Sequence, residues 1–144
     1  MSVEEAHLKE VYPVVSGDFT AAGAASATIK RMLRQLGVDA SVLRRVAVAS
    51  YEVELNLIIH SLGGTLTLEV DEHWVRLCSQ DVGPGIPDVE LAMREGYSTA
   101  TEEVRSLGFG AGMGLPNMRR NADEFEITSA MGEGTCICMG FRFS

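Results

Sequence analysis

The sequence predicts an α+β protein in which helices cover one face of a mainly antiparallel sheet, a two-layer sandwich. Three observations favour this fold class. Two long helical stretches lie close together along the chain, at 20–36 and 42–62. A pair of alternating apolar segments at 66–79 then has the pattern of a hairpin, and a second such pair follows at 124–143. The two hairpins are separated by a loop-rich segment.

The first ten residues are polar in overall character and are expected to be loose, and a short strand follows at 11–15. Pro13 would confine this strand to a sheet edge, because proline donates no hydrogen bond to a neighbouring strand. Asp18 is a candidate N-cap for a helix over 20–36, and Gly37 is a typical residue to end it. One uninterrupted helix is therefore expected here.

A second helix is predicted over 42–62, with Ser41 as its candidate cap and two glycines after its end. Strands at 66–70 and 74–79 follow it. A short acidic turn separates them, so they are expected to pair as an antiparallel hairpin.

The second half of the chain contains a long segment without stable periodicity, at 96–114, which is rich in glycine. One or two helical turns at 88–94 precede it, and a helix at 115–121 follows. Strands at 124–130 and 135–143 complete the pattern. A long loop inside a compact domain is usually functional, so this segment is a candidate binding element.

The composition favours a single folded domain, expected over residues 11–144. A chain of 144 residues buries roughly two thirds of its unfolded surface without disulfides or metals. The net charge of −8 disfavours binding to nucleic acid. No apolar run approaches the roughly 18 residues of a membrane span, and the N-terminus lacks the features of a signal peptide. A cytoplasmic protein with no membrane contact is therefore expected.

The three cysteines, Cys78, Cys136 and Cys138, are an odd and sparse set. Such a set favours reduced, buried thiols over a disulfide scaffold. Cys136 and Cys138 share one face of a strand, so a metal ring that includes Cys78 is an alternative. Their apolar neighbours favour small core residues instead.

The second helix carries a polar stripe on an otherwise apolar sequence. Glu52, Asn56 and His60 are four residues apart and so lie on one face. The stripe is either a solvated face or part of a site, since Asn offers a neutral oxygen to Mg²⁺ and Glu can act as a base. Glu54 is expected to point elsewhere, and His60 is expected to be structural.

An acidic residue ends the second strand of the first hairpin, and a turn with two glycines and two prolines follows. Alone, this pattern indicates a tight surface turn. As a site, the carboxylate is an acceptor suited to an exocyclic amine such as adenine N6, and the glycines let the backbone approach a flat ring. The candidate binding residues of the turn are Asp81, Gly83, Gly85 and Ile86.

Glycines occupy every second position from 108 to 114, immediately before a helix. Backbone N–H groups and a positive helix end converge there, which predicts a phosphate cradle. A P-loop is excluded because no Gly-Lys-Ser/Thr is present, and a dinucleotide fingerprint would need glycine at Met113 or Asn117. A flexible linker is the alternative. The candidate residues are Gly108, Gly110, Ala111, Gly112, Met113, Gly114 and Leu115.

Four segments stand in a fixed order along the chain: 52–60, 81–85, 108–114 and 132–135. In this order they resemble the N, G1, G2 and G3 boxes of the GHKL ATPases, the superfamily of gyrase and the sensor histidine kinases. The resemblance covers roughly residues 40–143. It implies the Bergerat fold and binding of ATP with Mg²⁺.

Within that superfamily, the small size, the Glu-x-x-x-Asn-x-x-x-His box and the GFGAGMGL segment resemble the anti-sigma regulatory factors that are serine/threonine protein kinases, above all the bacterial stress-signalling switch kinases. The resemblance implies that Glu52 is the catalytic base, Asn56 the Mg²⁺ ligand and Asp81 the adenine reader. It also implies that 108–114 forms a lid over the phosphates, and that Thr135 helps to hold adenine through water.

The substrate implied by the resemblance is a serine or threonine on a small STAS-domain protein. A sigma factor or a phosphatase as a further partner, and a homodimer as the assembly, stay open. A sensor histidine kinase is disfavoured, because the few residues around His7 leave no space for a phosphoacceptor hairpin. Two alternatives to a kinase remain, a nucleotide-gated binding module and a simple ATPase.

Overall fold

The computed structural model describes residues 8–83, 85–86, 88–94 and 114–143. Within these residues the chain forms five strands and four α-helices. In chain order they are β1 Leu8–Val14, α1 Ala24–Gln35, α2 Ala40–His60, β2 Gly64–Val70, β3 Trp74–Asp81, α3 Val89–Ala92, α4 Gly114–Asn121, β4 Glu124–Ala130 and β5 Gly134–Arg142.

The strands form one antiparallel sheet in the order β1-β2-β3-β5-β4. Alternate side chains of the sheet, such as Leu66, Leu68 and Leu77, are fully buried and form one core with residues of α1, α2 and α4. The residues between them, such as Arg76, lie on the opposite face. The predicted α+β sandwich, with its helices on one face of the sheet, is confirmed.

The prediction of one helix over 20–36 is wrong. A 3₁₀ turn at Phe19–Ala21 comes first, and α1 begins only after Gly23. Gly23 has φ 93°, a left-handed conformation that interrupts the helix. Asp18 makes no side-chain capping bond, because its carboxylate accepts instead from the hydroxyl of Thr20 at 2.8 Å.

The N-terminus of α1 is capped from another helix. Glu54 on α2 is only 2% exposed, and its carboxylate accepts from the backbone N–H groups of Gly23 at 3.2 Å, Ala25 at 3.2 Å and Ser26 at 3.0 Å. A carboxylate at a helix N-terminus satisfies donors that have no partner inside the helix. Glu54 therefore joins α1 to α2, and the prediction that it points away from the polar stripe is confirmed.

The cap of α2 is Asp39 and not the predicted Ser41. The Asp39 carboxylate accepts from the Ser41 N–H at 3.2 Å and from the Ser41 hydroxyl at 2.6 Å. These hydrogen bonds lower the pKa of Asp39. The helix begins one residue after this carboxylate, as is usual for an N-cap.

The remaining predicted elements are present with small shifts at their ends. Strand β1 lies at a sheet edge as predicted, but it begins at Leu8, inside the stretch expected to be loose. Asp88 caps α3 through a 3.0 Å bond from the Leu91 N–H.

Within the described parts of the chain, no helix combines the length and the apolar character needed to cross a bilayer.

The prediction of three reduced cysteines is wrong for one pair. Cys78 on β3 and Cys138 on β5 are direct cross-strand partners, with Cα atoms 4.1 Å apart, and they form a disulfide. The pairing of β3 with β5 brings together side chains that are distant in sequence. Cys136 is free and half-buried. Among the described residues, no group of three or more His, Cys, Asp or Glu side chains is arranged to hold a metal ion.

Candidate functional site

Helix α2 connects two of the predicted motifs. Near its middle, the carboxylate of Glu52 lies beside the start of α4, where a Cβ added to Gly114 would be 3.3 Å from Glu52 Oε2. Just past its C-terminus, the Leu62 N–H donates to the Val82 carbonyl at 2.8 Å, and Gly83 packs against the same backbone. The helix therefore spans from the turn after β3 to the end of the glycine-rich segment.

Glu52 is half-buried and faces α4. Burial raises the pKa of its carboxyl group, while a hydrogen bond from the side chain of Asn117 acts in the opposite direction. The Asn117 Oδ1 accepts from Arg120 at 2.8 Å, so its amide nitrogen is the donor to Glu52. A carboxylate with a raised pKa, oriented by a neutral donor, is suited to accept a proton.

Sequence reasoning did not select Asn117 as a site residue. It lies three residues after Gly114 in α4, so both face the same side of the helix. This spacing is the signal that identifies Asn117 once Gly114 is placed beside Glu52.

Asn56 lies one turn after Glu52 on the same face of α2 and is half-buried. Its side-chain carbonyl is the type of oxygen ligand that Mg²⁺ accepts. The helical position of His60, the third member of the predicted stripe, agrees with the prediction. Its side chain lies outside what the structure describes.

Asp81 ends β3 and is held by the start of β5. Its Oδ1 accepts from the Thr135 N–H at 2.7 Å. Burial raises the pKa of the Asp81 carboxyl group, and the bond from Thr135 opposes that shift. Gly134 has φ 123°, and a Cβ there would meet Asp81 Oδ1 at 2.8 Å, so the close approach of these two strands requires glycine.

The turn after Asp81 folds onto the β4–β5 hairpin. The Ile86 N–H donates to Ser129 Oγ at 2.7 Å, and this hydroxyl lies 2.9 Å from the hydroxyl of the buried Thr135. A Cβ added to Gly85 would be 2.7 Å from the Ala130 carbonyl oxygen. The structure thus brings the predicted residues Asp81, Gly85, Ile86 and Thr135 into one region.

Ser129 is a second residue that the sequence reasoning missed. It is the cross-strand partner of Thr135 in the β4–β5 register, and its hydroxyl joins Thr135 to the Ile86 backbone. The alternation of residues along β4 and β5 predicts that Ser129 lies opposite Thr135. The hydrogen bond from Ile86 to Ser129 depends on how the turn after β3 folds, which the alternation does not predict.

Part of the predicted phosphate cradle lies outside the described residues, namely Gly108, Gly110, Ala111, Gly112 and Met113. Gly114 and Leu115 are described. Gly114 is beside Glu52, whereas the side chain of Leu115 is 7% exposed and packs in the core.

Comparisons with known sequences find related proteins that match most of the chain. A family model described as the histidine kinase-like ATPase domain matches residues 15–141. The serine/threonine-protein kinase RsbT of Bacillus subtilis is 30% identical over 112 residues, which are 75% of this chain and 78% of the relative. An anti-sigma F factor of Caldanaerobacter subterraneus is 33% identical over 110 residues, 73% of each chain.

The fold is similar to that of a solved structure, the RsbU and RsbW domains of Rv1364c from Mycobacterium tuberculosis. The TM-score is 0.63 at 18% sequence identity, and the match covers 94% of this chain and 32% of the other. This likeness therefore concerns the fold, and the chain spans about a third of the length of that protein chain. The family model and the sequence relatives show that the chain belongs to the histidine kinase-like (GHKL) ATPases, in the family of anti-sigma factors and RsbT-like serine/threonine kinases.

Proposed function

We propose that this chain is an ATP-dependent protein serine/threonine kinase of the anti-sigma factor type, with a STAS-domain regulatory protein as its substrate. The observation that carries the proposal is the position of Glu52. Its half-buried carboxylate, with a raised pKa, lies beside Gly114, where the glycine-rich segment enters α4. A basic carboxylate next to a helix N-terminus places a proton acceptor beside a region suited to phosphate.

In this proposal, Asp81 reads the adenine base. One carboxylate oxygen is held by the Thr135 N–H, which fixes the orientation of the group. The carboxylate then accepts a hydrogen bond from the exocyclic amine of adenine, which guanine does not offer at the same position. The turn at Gly83, Gly85 and Ile86 forms one wall of the base pocket, and Thr135 lies at its floor.

The residues present also fit a magnesium ion. Asn56 supplies a neutral oxygen one helical turn from Glu52, and Mg²⁺ prefers such oxygen ligands together with water and phosphate oxygens. We infer that Asn56 would hold the ion. When bound, Mg²⁺ supplies neutralisation of the negative charge on the phosphates.

Phosphoryl transfer then depends mainly on positioning. The substrate hydroxyl oxygen forms a bond to the γ-phosphorus of ATP, the bond to the leaving oxygen breaks, and ADP departs. Glu52 orients the hydroxyl and accepts its proton, and Asn117 holds the Glu52 carboxylate in place. The segment 108–114 is proposed to enclose the phosphates. A cytoplasmic location accords with such a role.

A second candidate function is nucleotide-gated binding of a sigma factor, without transfer of phosphate. The identity of 33% to an anti-sigma F factor favours it. In this alternative, the bound nucleotide changes the affinity for the partner by stabilising one conformation of the chain. A phosphatase as an additional partner and a homodimer as the assembly are compatible with both functions.

One experiment distinguishes these functions. The purified chain is mixed with ATP labelled at the γ-phosphate, Mg²⁺ and a panel of STAS-domain proteins from the same organism. A kinase transfers label to a serine or threonine of one STAS protein. Glu52→Gln should lower the transfer by about 10²-fold or more, whereas Glu72→Gln, at an exposed turn residue, should leave it unchanged.

The other outcomes contradict the kinase proposal. Release of labelled phosphate without transfer, by the wild-type chain, identifies an ATPase. Binding of ATP measured by calorimetry, with a nucleotide-dependent complex but no transfer, identifies a binding module.

A further inference from the structure

All three sulfur atoms lie on the face of the sheet opposite to the helices. The buried residues of β3 are Val75, Leu77 and Ser79, so Cys78 points to the other side. On β5, Cys136 and Cys138 alternate with buried residues in the same way and face the same side as Cys78. Each cysteine is half-buried, and this face is therefore within reach of small molecules.

The sulfur atoms are in direct contact. Cys78 and Cys138 form the disulfide between β3 and β5, and the free Sγ of Cys136 lies 4.0 Å from the Sγ of Cys138. Thiol–disulfide exchange requires a thiolate that reaches a disulfide sulfur. The Sγ of Cys138 is the central atom of this cluster because it contacts both other sulfur atoms.

The setting favours a reactive rather than a structural disulfide. A chain of this size buries a sufficient core without one. In proteins of a reducing compartment, which is the location proposed for this chain, disulfides are usually transient and serve catalysis or redox sensing. A free thiol in contact with the disulfide supplies the third participant that exchange needs.

We propose that Cys136, Cys138 and Cys78 form a thiol–disulfide exchange site that reduces low-molecular-weight disulfides, such as the glutathione type. Starting from three thiols, the Cys136 thiolate attacks one sulfur of the small disulfide. The S–S bond of the small molecule breaks, one small thiolate leaves and takes a proton, and the other half stays on Cys136 as a mixed disulfide.

Two exchanges inside the protein complete the reaction. The Cys138 thiolate attacks the Cys136 sulfur, so that the second small thiol leaves and a Cys136–Cys138 disulfide forms. The Cys78 thiolate then attacks the Cys138 sulfur, and Cys136 is released as a thiol. In total, two protein thiols are oxidised to the Cys78–Cys138 disulfide and one small disulfide is reduced to two thiols, which gives the state in the structure.

The position of Cys136 explains why it reacts first. It lies near the start of β5, where its cross-strand neighbours are the polar, exposed Gln80 and Thr128. Cys138 lies further along the strand, between Cys78 and Glu126. A small disulfide therefore meets Cys136 at the end of the sheet, and Cys138 carries the exchange inward.

The test follows the order in which the disulfides appear. The intact chain is fully reduced, freed of reductant and mixed with glutathione disulfide, then quenched with an alkylating reagent at successive times and mapped by peptide mass spectrometry. In the wild-type chain, glutathione is expected on Cys136 first, and the Cys78–Cys138 disulfide is expected to replace it.

Variants give independent readouts. Cys138→Ser should trap glutathione on Cys136, and Cys136→Ser should slow formation of the Cys78–Cys138 disulfide by about tenfold, because the first acceptor is lost. Thr128→Ser, opposite Cys136 on β4, should leave both rates unchanged.

Three results would overturn the proposal: wild-type rates in Cys136→Ser, first addition of glutathione to Cys78 in the wild-type chain, or glutathione that stays on Cys136 without transfer. The wild-type time course tests the proposed order of exchange even if a variant fails to fold.

Discussion

The carboxylate of Asp81 accepts a 2.7 Å hydrogen bond from the backbone N–H of Thr135, a residue 54 positions later in the chain. This bond joins the C-terminal end of β3 to the start of β5. It also fixes the carboxylate where the turn 82–86 leaves the sheet. The candidate base pocket therefore depends on the pairing of two strands that are not consecutive in sequence.

Asp81→Asn should weaken ATP binding by about 1.5 to 3 kcal/mol, the usual range for loss of a buried hydrogen bond to a charged group. Two donors face the Asp81 carboxylate and both need an acceptor, but an amide offers only one oxygen beside its NH₂ group. One of the two donors would therefore face the NH₂ group. Titration calorimetry of the folded variant measures the loss, with Glu72→Gln, at an exposed turn residue, as a charge-matched control. Unchanged affinity and unchanged discrimination against GTP would reject the assignment of Asp81.

Gly134→Ala should weaken nucleotide binding without any change in the charge of the site. The added Cβ would collide with the backbone carbonyl and with Oδ1 of Asp81, and the residue already has φ 123°. The carboxylate must move or β5 must shift. Gly37→Ala is a suitable control, because Gly37 also has a positive φ but open space around it and lies outside the candidate site. Equal ATP affinities in both variants would show that the close contact between Gly134 and Asp81 has no role in nucleotide binding.

Glu52→Gln should reduce phosphoryl transfer by about 10²-fold or more, the typical contribution of a general base, and leave ATP binding largely intact. It should also raise the free energy of unfolding at neutral pH. Burial raises the pKa of Glu52 in the folded state, so its contribution to stability is full below the unfolded pKa and is lost as the pH rises through the folded pKa.

Single-turnover transfer assays and urea denaturation test the two parts of this prediction separately. Asn56→Ala should instead impair Mg²⁺-dependent binding and turnover together. Equal, mild effects of the two substitutions would mean that the polar stripe of α2 is a solvated face.

Asn117→Ala should move the pH dependence of phosphoryl transfer to higher pH. The hydrogen bond from Asn117 lowers the pKa of Glu52, so its removal raises that pKa further. The deprotonated base then forms only at higher pH, and the acidic limb of the rate profile shifts in the same direction. Asn121→Ala, at the end of the same helix, should leave the profile in place; a profile unmoved by Asn117→Ala would show that the contact does not act on Glu52.

Glu54→Ala should destabilise the fold by about 3 kcal/mol, because three N–H groups lose a buried charged acceptor. Glu54→Gln should lose less, since the amide keeps one acceptor oxygen. Urea denaturation measures both, and Glu72→Ala in the exposed turn between β2 and β3 should change the stability by less than about 0.5 kcal/mol. A Glu54→Ala variant as stable as that control would show that the cap contributes nothing.

The order of helices and strands was predictable because each signal is local. Alternating apolar residues mark β2 to β5, and glycines mark the ends of helices within a few positions. The break at Gly23 was not predictable in this way. It is stabilised by Glu54, which lies 31 residues from Gly23 and reaches α1 only when the two helices pack.

The same distinction holds for the candidate site. Glu52, Asn56 and Asp81 stand in local motifs whose residue types suggest their chemistry. Asn117 and Ser129 contribute through contacts between elements, which a motif does not contain. The disulfide was missed for a related reason: composition argues against one, and only the placement of β5 beside β3 sets Cys78 opposite Cys138.

The two outer strands of the sheet also determine how the chain behaves in concentrated solution. An outer strand presents unpaired backbone groups to which another chain can add, the first step of edge-to-edge aggregation. Strand β1 carries Pro13, and β4 carries Glu124 and Glu126 on its exposed face. Strand β4 forms the edge of the sheet and β5 is its inner neighbour. The acidic strand β4 therefore shields the long apolar strand β5. The chain is thereby protected at both edges against open-ended growth of its sheet.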